Sequence, residues 1–400
     1  MADRPRVVML APERPDPPTS GGQLRMRQHI AVLRALGWDV RVVAFIDPVT
    51  PDDAAPGGPW MEMYPVERES PLRRYLRLAR AVGTRRHPRV IRLQPLVERA
   101  LASIVAWRPD LVVLEYSLFA AFLPLLRRAL PGIPVIVDAH NAESALLAEF
   151  ARSLDGGRVR WMNRMRGWWM IRIEATMLPD ADEIWVPSDA DAAALRSLGA
   201  ARIQIVPNAV DTDAYLPVAD APVPRLVFSG TMDYPPNIDA ATWLCERIMP
   251  IVWRDVPAAQ VDLVGKSPAA IAHLAGPAVA VTGFVPDPRP HLAQATVIAV
   301  PVRIGSGTRL KILEALAMEK AVVTTRKGCQ GLDVADGTHL VVADGADAFA
   351  AAVIALLRDP DRRRRLGSAG RRLIVDRYSW RAVEPIVAST LVGSRLSVAR

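Results

Sequence analysis

Short apolar runs alternate with longer segments of helical period along the whole chain. In the first half, positions 7–10, 40–45, 111–114, 135–137, 183–186 and 203–206 predict strands. Positions 23–36, 93–107 and 190–198 predict helices between them. The strand candidates are continuously apolar rather than alternating. That is the pattern of strands buried on both faces, in a parallel sheet covered by helices.

A break follows at 216–224, LPVADAPVP, which is rich in Pro and Ala and has no periodicity. The alternation then restarts, with strands predicted at 226–229, 261–264, 278–281, 297–300 and 321–324 and helices at 238–252, 308–318 and 346–357. The expectation is an α/β chain of two Rossmann-like, doubly wound domains in series. They span 1–215 and 225–375, joined by 216–224, with a terminal segment 376–400. Ligands of such sheets bind at the carboxyl ends of the strands, so the strand-to-helix turns are where chemistry is expected.

Composition narrows the picture. The chain has 400 residues, half of them hydrophobic and 23% charged, which excludes global disorder. Cys245 and Cys329 are the only cysteines, with no disulfide framework and no zinc spacing, as suits a reducing cytoplasm. The N-terminal residues lack a signal-length apolar core. The longest apolar stretch, 111–126, contains Glu115 and is shorter than the roughly 20 residues a membrane-spanning helix needs, so no such helix is expected.

The net charge of +8 is unevenly placed. Residues 68–108 hold eleven arginines against two acids, and residues 152–172 hold six against one. Such a chain could bind nucleic acid, anionic lipid or phosphorylated substrate, and a charge run alone is equally a solvated face, so the sites decide. Lysine is rare: only Lys266, Lys311, Lys320 and Lys327 occur.

One of the four falls in the most informative segment, Pro301-Val-Arg-Ile-Gly-Ser-Gly-Thr-Arg-Leu-Lys-Ile-Leu-Glu314. A predicted strand runs through a loop with Gly305 and Gly307 into a helix. Glycines let backbone amides approach a ligand, and a helix start favours an anion. Arg309 and Lys311 place two cations where the helix dipole disfavours them, a cost that a bound anion offsets. Lys311 and Glu314 are three apart and share a face. A cation on a diphosphate and a carboxylate on a ribose diol fit that spacing, and so does a plain Lys–Glu surface pair. The ending is not that of a Walker A loop.

This segment, GSGTRLKILEALAMEKAVVTT, resembles the donor motif of GT-B glycosyltransferases, close to the retaining family 4 enzymes. Further segments agree in the same order: Gly21-Gly22, Val206-Pro-Asn-Ala-Val-Asp211, Phe228-Ser-Gly-Thr-Met-Asp233 with Pro236-Asn237, Val281-Thr-Gly-Phe-Val-Pro-Asp287 and Tyr378-Ser-Trp380. The resemblance covers about residues 6–385. It implies a GT-B fold: an N-terminal acceptor-side domain, a C-terminal nucleotide-sugar domain, a cleft between them and a last helix crossing back to the N-domain. It implies a diphosphate held by Arg309 and Lys311, a ribose held by Glu314, and a base lined by Phe284 and Val285. Gly230, Gly305, Ser306, Gly307 and Thr308 would approach the donor, and Gly21, Gly22 and Glu115 would lie on the acceptor side. No bound metal and no cofactor beyond the nucleotide sugar are implied. Two departures stand out. Ser306 occupies the position of a usual Glu, and GTMDYPPN lacks the usual Arg and Lys, whose charge Arg309 and Lys311 replace in this reading.

His140, in Val137-Asp-Ala-His-Asn-Ala-Glu143, directly follows a predicted strand. By resemblance it contacts the donor sugar near the reacting carbon. As a residue alone it could equally cap a helix or rest in a polar network, with Asn141 and Glu143 as cap and first-turn acid. Glu115 ends the preceding strand and reads as a site group or a buried structural carboxylate. In Arg158–Arg172, a helical stripe of Trp161, Met165, Trp168 and Trp169 is flanked by Arg160, Arg164 and Arg166. It reads either as an interfacial helix on an anionic membrane, through Arg160, Trp161, Trp168 and Trp169, or as a core helix with solvated arginines.

The expectation for function is transfer of a sugar from a nucleotide-diphosphate donor to a hydroxyl, with retention, in cell-surface polysaccharide or glycolipid synthesis. The acceptor is expected to be a saccharide or lipid-linked. The enzyme is expected to be cytoplasmic, peripheral on the inner face of the plasma membrane. A GT-B nucleotide-sugar epimerase is the alternative enzyme. A nucleic-acid binder leaves the Gly305–Glu314 motif unexplained.

Overall fold

A computed structural model describes residues 4–46, 59–153, 156–219, 223–305 and 307–393. Ser306, residues 220–222 of the expected linker and the last residues, 394–400, lie outside the described residues. The chain forms two compact units. The first holds Met1–Pro18, Gly22–Pro207 and Glu384–Arg400; the second holds Thr19–Gly21 and Asn208–Val383.

The first unit runs β1 (Arg6–Ala11), α1 (Gly21–Ala35), β2 (Asp39–Ile46), β3 (Met61–Pro65), α2 (Pro71–Thr84), α3 (Pro88–Trp107), β4 (Leu111–Glu115), α4 (Leu123–Ala129), β5 (Val135–Asp138), α5 (Glu143–Ser153), α6 (Gly157–Thr176), β6 (Glu183–Val186), α7 (Asp189–Arg196) and β7 (Ile203–Ile205). Its strands form a parallel sheet in the order β3-β2-β1-β4-β5-β6-β7. β1, β4 and β5 are almost wholly buried, as their continuous apolar runs require.

The second unit runs β8 (Arg225–Ser229), α8 (Pro235–Trp243), α9 (Met249–Asp255), β9 (Gln260–Val264), β10 (Val279–Gly283), α10 (Arg289–Ala293), β11 (Val297–Val300), α11 (Leu310–Ala317), β12 (Val322–Thr324), β13 (Val341–Val342), α12 (Ala346–Arg358), α13 (Pro360–Leu373) and α14 (Trp380–Gly393). From Glu384 onward, α14 groups with the first unit. The sheet order is β10-β9-β8-β11-β12-β13, again all parallel. Each sheet starts in its middle and winds outward both ways, so each has a switch point beside its first strand: β1/β4 and β8/β11.

Local chemistry sets the boundaries. Ser70, His87 and Asp359 cap the helices that open on Pro71, Pro88 and Pro360, each accepting a backbone N–H. The helix expected at 238–252 is interrupted by a wide π turn at Leu244–Ile248, where Pro250 has no N–H to donate back.

Candidate functional site

In the first unit, a network of buried polar groups gathers at the carboxyl ends of β4 and β5. Arg25, 1% exposed on α1, grips Asp138 at the end of β5: its Nε lies 3.0 and 2.9 Å from the two carboxylate oxygens and its Nη2 2.6 Å from Oδ1. Arg25 Nη1 also donates to the carbonyl of Val206 at 2.9 Å. His29, one helical turn on, brings Nδ1 to 3.1 Å from Asp138 Oδ2. Glu115, ending β4, places Oε2 2.7 Å from His140 Nε2, and that nitrogen is 3.4 Å from Asp138 Oδ2. The Tyr116 ring stacks on His140 with centroids 3.8 Å apart, and its hydroxyl donates to Glu13 Oε1 at 2.7 Å. Gly22 is required here, because a Cβ would sit 1.9 Å from the Tyr116 hydroxyl.

Burial decides how these groups are charged. It pushes Glu115 well above the usual carboxylate range, and neighbouring Asp138 adds to the rise. Burial lowers His140 to about 4. Burial would also raise Asp138, but Arg25 and His29 outweigh it and hold the carboxyl ionised. One buried ion pair therefore sits beside a carboxyl and an imidazole that burial drives toward their neutral forms. Glu115 also hydrogen-bonds Asp138, which helps to raise it, and His140 Nδ1 is buried with no hydrogen-bond partner. The donor atoms of His29, Glu115 and Asp138 come within 4.8 Å of one another, but Arg25 already supplies the cation that compensates Asp138.

The expected cap of α5 is displaced. Asn141 does not end that helix with its side chain, whereas Glu143 is the acid of its first turn, as expected. Glu174 of α6 accepts the backbone N–H of Glu143 at 2.9 Å and that of Ser144 at 3.4 Å, and Asp191 of α7 accepts that of Ala142 at 2.9 Å. Several Asp-x-Asp spacings serve structure in the same way. Asp182 pairs with Arg127, Asp191 bonds Ser188 at the start of α7, and Asp213 pairs with Arg381.

In the second unit the site forms where β8 and β11 end. Lys311 donates Nζ to Asn237 Oδ1 at 3.0 Å and lies 4.1 Å over the Phe228 ring. Asn237 is anchored in turn by donating to the Thr231 carbonyl at 2.9 Å. Gly230 must be glycine, since a Cβ would fall 2.7 Å from Asn237 Nδ2 and 2.8 Å from Lys311 Nζ. Glu314, 8% exposed, accepts the Tyr215 hydroxyl at 2.8 Å. Gly305 and Gly307 take φ of 100° and 83°, which glycine alone adopts at ease. Arg309 caps α11 with extended backbone and donates Nη2 to the Ile304 carbonyl at 3.3 Å. Thr308 accepts from Asn208 at 2.5 Å. Val285 packs on the core, while Phe284 is 59% exposed.

The Lys311–Glu314 surface pair is overturned. Both side chains turn inward and take different partners, Asn237 and Tyr215. Burial, then Arg309, lowers Lys311 to about 7. Burial raises Glu314, against the Tyr215 hydrogen bond and Lys311. Gly21 and Gly22 open α1. The aromatic stripe on α6 divides. Trp161 and Trp168 are 63% and 41% exposed, but Trp169 is 6% exposed and packs edge-on against His87 at 5.8 Å, so it offers nothing to a membrane. Sequence reasoning missed Arg25, His29, Asp138, Tyr116, Asn237 and Tyr215. Asp138 was findable as the acid ending a buried strand.

Two doubly wound units, each with polar side chains at its switch point, define a GT-B glycosyltransferase fold. Solved structures share it. Sucrose-phosphate synthase from Thermosynechococcus elongatus matches with TM-score 0.75 at 19% identity, over 99% of this chain and 100% of that one. WaaG, a glycosyltransferase involved in lipopolysaccharide biosynthesis, matches with TM-score 0.68 at 16% identity over 97% and 100%. Anabaena HepE, in complex with UDP and glucose, matches with TM-score 0.66 at 14% identity over 97% and 99%.

Residues 223–359 match the family described as glycosyl transferases group 1, and residues 20–209 match the glycosyl transferase 4-like domain. A GDP-mannose-dependent alpha-(1-6)-phosphatidylinositol monomannoside mannosyltransferase from Mycolicibacterium smegmatis is 30% identical over 286 residues, 64% of this chain and 75% of that protein. The chain belongs to the group 1 (family 4) glycosyltransferases, and it is an enzyme of the hexosyltransferase kind.

Proposed function

We propose that this enzyme moves a hexosyl unit from a nucleoside-diphosphate sugar to a hydroxyl of a saccharide or lipid-linked acceptor, with retention, in making a cell-surface polysaccharide or glycolipid. The observation that carries the donor reading is Lys311. A buried lysine with a neutral partner, lowered to about 7 and set beside Gly230 and the Gly305–Arg309 loop, is short of an anion. A diphosphate supplies one. Lys311 and Arg309 then stabilise the charge that develops on the leaving diphosphate. Glu314, aimed by Tyr215, takes the ribose hydroxyls, and Phe284 and Val285 flank the base. Gly305, Gly307 and Thr308 face the donor sugar, and the family resemblance assigns His140 to sugar contact. Glu115 and Tyr116 position His140. The reading calls for no metal. The mannosyltransferase relative makes GDP-mannose the first donor to try, and its lipid acceptor supports a membrane-linked one. The same reading sets the enzyme on the cytoplasmic face of the membrane, with the basic stretches of the first unit toward the lipid.

Donor hydrolysis across a panel of nucleotide sugars tests this. One donor should stand out, and Lys311→Ala or Glu314→Ala should each lower its turnover by about 100-fold or more, the scale of a lost transition-state charge contact. Circular dichroism should stay unchanged. Full activity in both variants rejects the assignment.

A further inference from the structure

The apolar surface of the first unit is concentrated on two helices that the transfer reaction does not use. Among the described residues, α2 carries Leu72, Tyr75, Leu76 and Val82 at 68, 70, 56 and 60% exposed, and α6 carries Trp161 and Trp168. On α2 the apolar positions 72, 75, 76, 79 and 82 recur at helical spacing and form one continuous stripe. The helix is seated through the opposite side. Ala81 is its one buried residue, and Arg77 beside it is clamped by Glu69, with Nε 2.9 Å from each carboxylate oxygen.

A helix of a water-soluble domain turns its apolar stripe inward. α2 does the reverse, and it is not a loosely formed helix. Ser70 caps its start, Pro71 opens it, and Arg85 closes it in the left-handed conformation with φ 54°. Arg73 and Arg80 flank one edge of the stripe, Leu78, 41% exposed, widens the other, and neither arginine makes an ion pair among the described residues. α6 touches the start of α3, which follows α2: His87, the cap of α3, packs against Trp169, and the neighbouring Trp168 carries Arg172 over its ring at 5.5 Å. No described helix is long and apolar enough to cross a membrane.

We propose that α2 is the element that seats this enzyme on an anionic lipid surface. The stripe Leu72–Tyr75–Leu76–Val82 enters the boundary between headgroups and acyl chains, and Arg73 and Arg80 meet the anionic headgroups. The proposal rests on the peripheral placement above and names the surface responsible. A second copy of the chain is the poorer occupant, because pairing α2 with itself sets one arginine fringe against another. A protruding stripe also suits a deformable bilayer better than a protein groove.

Flotation of the full chain with phosphatidylcholine vesicles, with and without phosphatidylglycerol, tests it. Wild type should float with the anionic vesicles and stay in solution with the neutral ones. Replacing Arg73 and Arg80 by Gln should weaken anionic binding about 30-fold, at roughly one charge contact per arginine. The polar-stripe variant Leu72→Ser with Leu76→Ser and Val82→Ser should not float at all. Donor hydrolysis without vesicles should be unchanged in both variants, since these residues are exposed and outside the site. Wild-type binding that both variants keep overturns the proposal. So does a wild-type dimer in sedimentation that the stripe variant dissociates. Hydrolysis read separately distinguishes the two conclusions. An active protein that never floats rejects the lipid surface alone, and a protein that floats normally yet turns over no donor supports the surface and rejects the transferase site.

Discussion

Lys311 is a cation held short of its charge. Its pKa of about 7 means that free enzyme at pH 8 carries it mostly neutral, whereas a bound diphosphate draws it back to the protonated form. Binding of a nucleoside diphosphate at pH 8 should therefore take up close to one proton and below pH 6 almost none. Calorimetry in buffers of different ionisation enthalpy reads this directly, and uptake that persists in Lys311→Met would assign the proton elsewhere. His140 behaves in the opposite sense. Lowered to about 4, it is neutral throughout the working range, so no acid limb near pH 6.5 should come from it. Much of this was legible in the residues. His140, Glu115 and Gly230 sit at ends of apolar runs, and Lys311 and Glu314 lie in the first turns of the helix that follows one, where a doubly wound sheet gathers its ligands. Their partners were not legible. Arg25 meets Asp138, and Tyr215 meets Glu314, across 113 and 99 residues of chain, and no local pattern announces such a contact.

Elements follow the same division between local and distant causes. The buried central strands were visible because continuous apolar runs have one use. β3 and β13 were not, because MEMYP and the two-residue VV make no apolar run long enough to read as a strand. α2 and α13 were missed although each opens on a cap followed by proline, and which side of α2 faces water depends on what it is seated against. The start of α5 is a sharper case, since its cap comes from α6. Burial raises Glu174 to about 7 despite the backbone N–H groups it accepts. The folded state therefore binds a proton between about pH 4.5 and 7 that the unfolded chain has released, and stability contributed by this group falls as pH rises through that window. Glu174→Gln keeps an acceptor oxygen without the charge. Compared with wild type, it should gain stability in urea at pH 8 relative to pH 5. Glu174→Ala should lose about 1–2 kcal/mol at pH 5, as a lost helix cap does. A wild-type and Gln difference that does not change between the two pH values would mean that Glu174 is ionised throughout.

For the whole molecule, the two units carry different parts of the chemistry. All the groups proposed to hold the nucleotide, from Gly230 and Asn237 to Arg309, Lys311 and Glu314, belong to the second unit, and the Arg25–Asp138–Glu115–His140 network belongs to the first. Nucleotide binding and sugar chemistry should thus separate under mutation. Nucleoside diphosphate alone should slow hydrogen exchange at 228–238 and 301–318 and leave 111–116 and 135–144 unchanged. His140→Ala should keep nucleotide affinity within about 2-fold while turnover of the intact donor falls, because a group that meets only the sugar contributes nothing to the nucleotide. Lys311→Ala should weaken both. At saturating nucleotide, about 100 times Kd, the second unit should gain about 2.7 kcal/mol against unfolding. Exchange protection spreading into 135–144 with nucleotide alone would contradict this partition. So would a His140→Ala enzyme that binds the nucleotide as poorly as Lys311→Ala, because the first-unit network would then be holding phosphate rather than sugar.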